Sequence, residues 1–304
     1  MFFLFILRSL LQIYDHDIQI YCIFIGTHCR TMQLLFLKMI MLFALPETLS
    51  GWTGNQTAPF ERDTILFVAH RGASYLAPEN TLASIKLAWE LGADGAECDV
   101  MMSADHRIIL FHDNHTKKLT GVDHTVAKTN WDLLKELRIK PRDTNLPGYE
   151  NESIPLLEQV LDMIPDDRML VIEIKTGPEI LPDLKQVIDT HWNSGRISFI
   201  AFDFETIKAV KALYPEVPCY YLSSFRKELE GHFEAVVEAG LEGVDLRHQI
   251  IDQALVDRCH AAGLEVWCWT VNDPETARNM HKMGVSAITT DRPAWLKENM
   301  FHRF

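Results

Sequence analysis

Residues 95–113 read GAECDVMM-SADH-RIILFHD, two apolar runs separated by the four residues Ser103, Ala104, Asp105 and His106. A parallel crossover needs a dozen residues or more, so so short a link makes these runs the arms of an antiparallel hairpin. Centring the turn on Ala104 and Asp105 places Glu97 across from His112 and Asp99 across from Leu110.

Working outward, the hairpin is the one exception to a regular alternation. ILFVAH, MLVIEI, ISFIAF, VPCYYL, GVDL, EVWCWTV and SAITT read as short buried strands. Between them lie the amphipathic stretches TLASIKLAWELG, ILPDLKQVIDTHW, FETIKAVKALY, DQALVDRCHAAG and DPETARNMHKMG, the last two ending in the glycine that commonly follows a helix. Strands alternating with helices imply parallel βαβ units, and near-continuous apolar strands imply a sheet covered on its outer face. Counting the return arm as an extension of the second strand leaves eight parallel strands. The expected fold is α/β, a TIM (β/α)8 barrel with a β-hairpin extension after the second strand and an apolar N-terminal extension. Residues 120–170 are too long for a simple connection; they contain the helix candidates TNWDLLKELRI and LLEQVLDMI around the Pro/Gly/Asn-rich PRDTNLPGYENE, and are read as an elaborated loop over one rim, a candidate lid.

A chain of 304 residues that is 47% hydrophobic and 23% charged is neither disordered nor fibrous, and a formal charge of −13 argues against a broad cationic face for nucleic acid. Six cysteines without a C-x-x-C pair point to reduced, mostly buried thiols rather than a disulfide framework or a zinc site. Two regions are expected: residues 1–60, an apolar extension, and residues 61–304, the barrel domain. The extension is broken by Arg8, the Asp15-His16-Asp17 cluster, Arg30 and Lys38, and has no uninterrupted run of about 20 apolar residues. It reads as signal-like (Leu34 to Leu45, for a start at Met32), as a membrane tether, or as sequence upstream of the true start.

The chemistry-bearing residues fall at strand ends, which in a TIM barrel form the active face. His70-Arg71-Gly72 closes the first strand. Glu97 and Asp99 share one face of the second, and Glu173 and Lys175 one face of the third. Carboxylates gathered in a barrel mouth repel unless a divalent metal or a cationic side chain compensates them. As hard oxygen donors, Glu97, Asp99 and Glu173 suit Mg²⁺ or Ca²⁺ better than zinc, although Lys175 is equally placed to be a simple salt-bridge partner of Glu173. His112 joins His70 at the same mouth, a pair suited to general acid and base work near neutral pH, while Arg71 and Lys175 are placed to clamp a phosphate.

In this order, HRG (70–72), PENT (78–81), E-x-D (97–99), LFHD (110–113) and E-x-K (173–175) resemble the glycerophosphodiester phosphodiesterase family of PI-PLC-like TIM-barrel enzymes. The likeness runs over residues 65–297, through VWCWTVND and ITTDRP, and does not include the first 60 residues. It implies hydrolysis of a small-molecule glycerophosphodiester to sn-glycerol 3-phosphate and an alcohol. His70 and His112 match the acid/base pair, Glu97, Asp99 and Glu173 the ligands of one divalent cation, and Arg71 and Lys175 the phosphate contacts. Trp269, on the same face as Trp267, is a candidate to line the glycerol pocket, although an aromatic on a barrel strand is as often core filling. In that family the neighbouring hydroxyl of the substrate can attack phosphorus first, so no protein nucleophile is required. Where the family often has Ser-Phe, this chain has Ala201-Phe202. A lysophospholipase D-type activity on lipids, favoured by the apolar N-terminus and its membrane association, and an inactive binding barrel are the alternatives.

Overall fold

The computed structural model describes residues 65–141 and 148–301. The apolar extension expected over residues 1–60 lies outside them. Strands β1 (Leu66–Ala69), β2 (Gly95–Met102), β3 (Ile108–Leu110), β4 (Met169–Ile174), β5 (Arg196–Ala201), β6 (Cys219–Ser223), β7 (Gly243–Arg247), β8 (Glu265–Trp269) and β9 (Ala287–Thr290) form one sheet in the order β1-β9-β8-β7-β6-β5-β4-β2-β3. The additional parallel pairing of β1 with β2 closes it. All pairings but one are parallel; the antiparallel β2–β3 pair hangs off the closed ring. The fold is therefore the (β/α)8 barrel with its hairpin extension, as the alternation implies.

Helices α1 (Leu82–Glu90), α2 (Lys117–Thr120), α3 (Trp131–Leu134), α4 (Leu157–Leu161), α5 (Leu181–His191), α6 (Phe204–Leu213), α7 (Arg226–Glu238), α8 (Gln253–Ala261), α9 (Pro274–Met283) and α10 (Pro293–Phe301) fill the connections. Four of them, α1, α6, α8 and α9, start where side-chain oxygens cap free backbone amides. Asp203, Asp252 and Asp273 accept from the amides of Thr206, Leu255 and Thr276 at the heads of α6, α8 and α9. Thr81 and Ser84 cap α1 reciprocally. At its other end α9 stops on Gly284, whose φ of 98° suits only a residue without a side chain.

Two layers of apolar packing follow from strand alternation. Val244 and Leu246 of β7, with Val266 and Cys268 of β8, face outward into the helix-packed core, while Val171, Ile200, Tyr220, Leu222 and Trp267 fill the lumen. Deep in the lumen the rings of Tyr220 and Trp267 stack at 3.9 Å, and both donate to the Glu265 carboxylate, at 3.1 and 3.2 Å. The N-terminal end is thereby plugged, and chemistry is confined to the C-terminal mouth.

Three expectations are refined. The hairpin register differs by one residue: Val100 pairs with Leu110 and Met102 with Ile108, so Glu97 is not across from His112, nor Asp99 from Leu110. The loop has five residues rather than four because His106 adopts a left-handed φ of 61° and Arg107 hydrogen-bonds back to Ser103. Asp99 instead accepts from the amide of Phe111, and His112 lies just past the paired strand. TNWDLLKELRI is helical only over α3; beyond it the chain is drawn into a bridge between Arg138 and Ser153, a non-local contact that overrides the helical pattern. The insertion also carries its own core, in which Val126, Leu134, Leu137, Ile139, Ile154 and Leu156 pack on Met101, Ile109 and Phe111 of the hairpin. Four cysteines among the described residues, Cys98, Cys219, Cys259 and Cys268, are buried and unpaired. No helix there is long and apolar enough to cross a membrane.

Candidate active site

The turn after β1 sets the site. Gly72 has a φ of 76°, and a Cβ there would stand 2.4 Å from the backbone carbon of Ser84, so only glycine lets the chain double back beneath α1. Arg71 and Asn80, with φ of 55° and 56°, are left-handed without being glycine, an unfavourable conformation for side-chain-bearing residues and held by specific bonds. The Arg71 amide donates to Glu97 Oε2 at 2.8 Å and its guanidinium to Glu79 at 2.6 Å, with Nε 3.1 Å from Asp99 Oδ2. Asn80 clasps Asp99 twice, its Nδ2 donating to Oδ2 at 2.8 Å and its Oδ1 accepting from the Asp99 amide at 3.0 Å.

Glu97, Asp99 and Glu173 offer oxygens that all lie within 4.8 Å of one another, and all three are buried as groups. Glu97 Oε1 and Asp99 Oδ1 are buried without a hydrogen-bond partner. Burial and the neighbouring Asp99 and Glu173 push Glu97 well above the usual carboxylate range. Burial and Asp99 raise Glu173 to about 7 against the pull of Lys175. For Asp99 burial acts upward too, but Arg71, Lys175, His112 and Asn80 outweigh it and hold the group below its ordinary value. The charge at this mouth is thus only partly compensated by Arg71 and Lys175. Three hard oxygen donors, two with an oxygen that accepts no hydrogen bond, form a cradle fitted to a divalent cation such as Mg²⁺ or Ca²⁺.

Lys175 donates to Glu173 at 2.6 Å and lies 3.6 Å from Asp99 Oδ1, so it does pair with the carboxylates as its spacing allows. Beside it a cleft of about 490 Å³, the size of a small-ligand pocket, is lined by Glu173, Lys175, Thr176, Gly177, Phe202 and Asp203. Phe202 meets the Trp269 ring edge-on at 5.6 Å and has Lys175 Nζ 5.7 Å from its own centroid, which links the two ends of the expected pocket.

Both histidines are oriented through Nδ1. His70 Nδ1 lies 2.8 Å from Asp291 Oδ1 and His112 Nδ1 2.6 Å from Asp113 Oδ1. A carboxylate only accepts, so each Nδ1 carries its proton and each Nε2 is left as the reactive nitrogen. Burial lowers the His112 pKa, with Arg71 and Lys175 acting the same way against Asp99 and Asp113. Asp291 is itself held by Asn272 at 2.9 Å. The two orienting carboxylates were not singled out from sequence, although Asp113 directly follows His112 and Asp291 sits in the ITTDRP segment at the end of the last strand.

A closed (β/α)8 barrel with paired histidines, cations and an acidic cradle at its C-terminal mouth defines the class as that of barrels built to handle phosphate esters with a divalent ion. Residues 70–295 match the glycerophosphoryl diester phosphodiesterase family, and the chain belongs to it. A glycerophosphodiester phosphodiesterase of Caldanaerobacter subterraneus is 30% identical over 239 residues, 76% of this chain and 96% of that one. One from Bacillus subtilis is 26% identical and covers 90% of this chain and 97% of its own. Among solved structures, an Oleispira antarctica phosphodiesterase in complex with the product sn-glycerol-3-phosphate superposes with a TM-score of 0.72 at 29% identity, over 78% of this chain and 97% of that one.

Proposed function

We propose that this protein hydrolyses glycerophosphodiesters to sn-glycerol 3-phosphate and an alcohol, with a divalent cation held by Glu97, Asp99 and Glu173. The observation that carries the reading is the buried trio of carboxylates, two with unpartnered oxygens, flanked by Arg71, Lys175 and two carboxylate-oriented histidines. The resemblance of the motifs and the names of the relatives supply the substrate class. The bound cation would supply Lewis-acid polarisation of a phosphoryl oxygen.

The chain's own groups do the rest. Arg71 and Lys175 hold the phosphate anion. One imidazole Nε2 takes the proton of the attacking hydroxyl, the neighbouring hydroxyl of the substrate in the first step. The other returns a proton to the departing alkoxide, and water opens the cyclic glycerol phosphate in the second step. Trp269 offers an aromatic wall to the glycerol carbons.

The test is release of glycerol 3-phosphate from glycerophosphocholine and glycerophosphoethanolamine, and of lysophosphatidic acid from lysophospholipids, by the full chain, after EDTA and after restoring Mg²⁺ or Ca²⁺. Metal-dependent turnover of the water-soluble diesters is expected. Turnover of lysophospholipids alone would instead favour the lipid-directed activity, and none from folded, metal-loaded protein would favour a binding barrel.

A further inference from the structure

Asp245 is a buried carboxyl that no role above uses. It occupies the middle of β7, between Gly243 and Arg247, and is 1% exposed. Its flanking residues Val244 and Leu246 pack outward, so Asp245 points into the lumen, level with Leu222 of β6 on one side and Trp267 of β8 on the other. Oδ1 has no hydrogen-bond partner. Burial, with the nearby Glu173 charge adding to it, raises its pKa well above the ordinary carboxylate value.

Leaving such a group buried and unsatisfied costs about 1–3 kcal/mol, and a leucine or valine would fill a barrel layer without that cost. Its surroundings point to a ligand. Glu173 lies within electrostatic reach of it. The Trp269 indole donates to the Asp245 carbonyl oxygen at 3.3 Å, fixing that ring over the same strand, and Trp269 meets Phe202, which in turn neighbours Lys175. A ligand with its phosphate against Lys175 that runs on past Phe202 would head toward Trp269 and the strand that carries Asp245. Next to an aromatic wall, a lone buried hydrogen-bonding group selects a short polyol arm carrying a hydroxyl.

We propose that Asp245 is a specificity-determining residue that hydrogen-bonds the terminal hydroxyl of the substrate's glycerol moiety, the one that takes no part in the attack on phosphorus. This rests on the hydrolase reading above. A site built to bond a hydroxyl rejects the analogue lacking it far more strongly than an apolar pocket does, because the site's own polar group is then left unpaired.

The experiment compares kcat/KM of the full chain on glycerophosphocholine and on the analogue in which propane-1,2-diol replaces glycerol, which keeps the attacking hydroxyl and lacks the terminal one. The unaltered protein should favour the glycerol diester by about tenfold or more, as a hydrogen bond of this kind is worth. Asp245→Leu should abolish the preference, so that the glycerol diester and the analogue turn over with similar kcat/KM. Asp245→Asn, which still donates and accepts, should keep the preference. Equal rates on both diesters with the unaltered protein overturn the proposal, and that comparison decides even where leucine weakens the barrel. So does a folded Leu variant that keeps the preference. Absence of turnover of either diester removes the parent reading and this one with it, an outcome distinct from measurable but equal rates.

Discussion

Asp99 receives Asn80 Nδ2, the Arg71 guanidinium and Lys175 in one buried position. Removing Asn80 strips a hydrogen bond from the carboxylate and leaves the Asp99 amide without its acceptor. Asn80→Ala is expected to destabilise the fold by about 2–3 kcal/mol, seen as a lower Tm, and to weaken cation affinity in titration. The histidines allow a sharper expectation. His70→Ala and His112→Ala should each lower kcat by about 10²–10⁴ with little change in KM, the range for general acid or base catalysis. Asp291 acts through His70, so Asp291→Ala should lower kcat less and leave KM alone. Added to His70→Ala it should cost nothing further; an independent, additive loss would mean that Asp291 does something other than position the ring.

At the scale of elements, the β1–α1 turn is the most constrained. Gly72→Ala places a methyl against the Ser84 backbone and forces a side chain into left-handed conformation. Together these should cost about 3 kcal/mol, a fall in Tm of roughly 6–12 °C on thermal unfolding, with activity falling too because Arg71 and Asn80 flank the same turn. Why some elements could be read from sequence and others not is also visible here. The parallel strands announce themselves because both faces are buried and several of the helices between them are capped by Asp or Thr, with glycine just past the ends of α8 and α9. The hairpin was legible as a hairpin, but its register was not, since the residue that lengthens the loop is His106, a type that takes positive φ more often than most but far less often than glycine. The short span of α3 was hidden because the Arg138–Ser153 bridge that ends the helical pattern joins segments well apart in sequence. His70, Arg71, Glu97, Asp99, Glu173 and Lys175 were readable because they stand in pairs at strand ends. A lone acid within GVDL carries no such mark, and Asp245 becomes visible only when the register shows which way β7 faces.

For the whole molecule, the acidic cradle couples stability to pH and to the cation. In the metal-free protein Glu97 and Glu173 bind protons more tightly than in the unfolded chain, the first well above its ordinary value and the second at about 7. Between about 4.5, where both titrate when unfolded, and about 7, the folded state holds more protons at these two carboxyls, so their contribution to stability falls as pH rises through that window, while His112, lowered from 6.5, works against them there. Asp99 works in the opposite sense, but its contribution is complete above its unfolded value of 3.8 and is lost only below that, outside the window. A divalent cation favours the ionised carboxylates and competes with the same protons, so its affinity should rise with pH. At a concentration about a hundredfold above Kd it should stabilise by about 2.7 kcal/mol, a gain in Tm of roughly 5–11 °C at pH 8, and by less at pH 5.5. Glu97→Gln removes the titrating group and keeps its shape. The variant should melt higher than the unaltered protein in EDTA at pH 8, respond little to Mg²⁺ or Ca²⁺, and lose turnover, since the repulsion that weakens the metal-free barrel is the same charge that would hold the cation. Equal melting of the two proteins in EDTA at pH 8 would show that Glu97 already carries its proton there, and the pH dependence of the unaltered protein would then have to come from other groups, Glu173 among them.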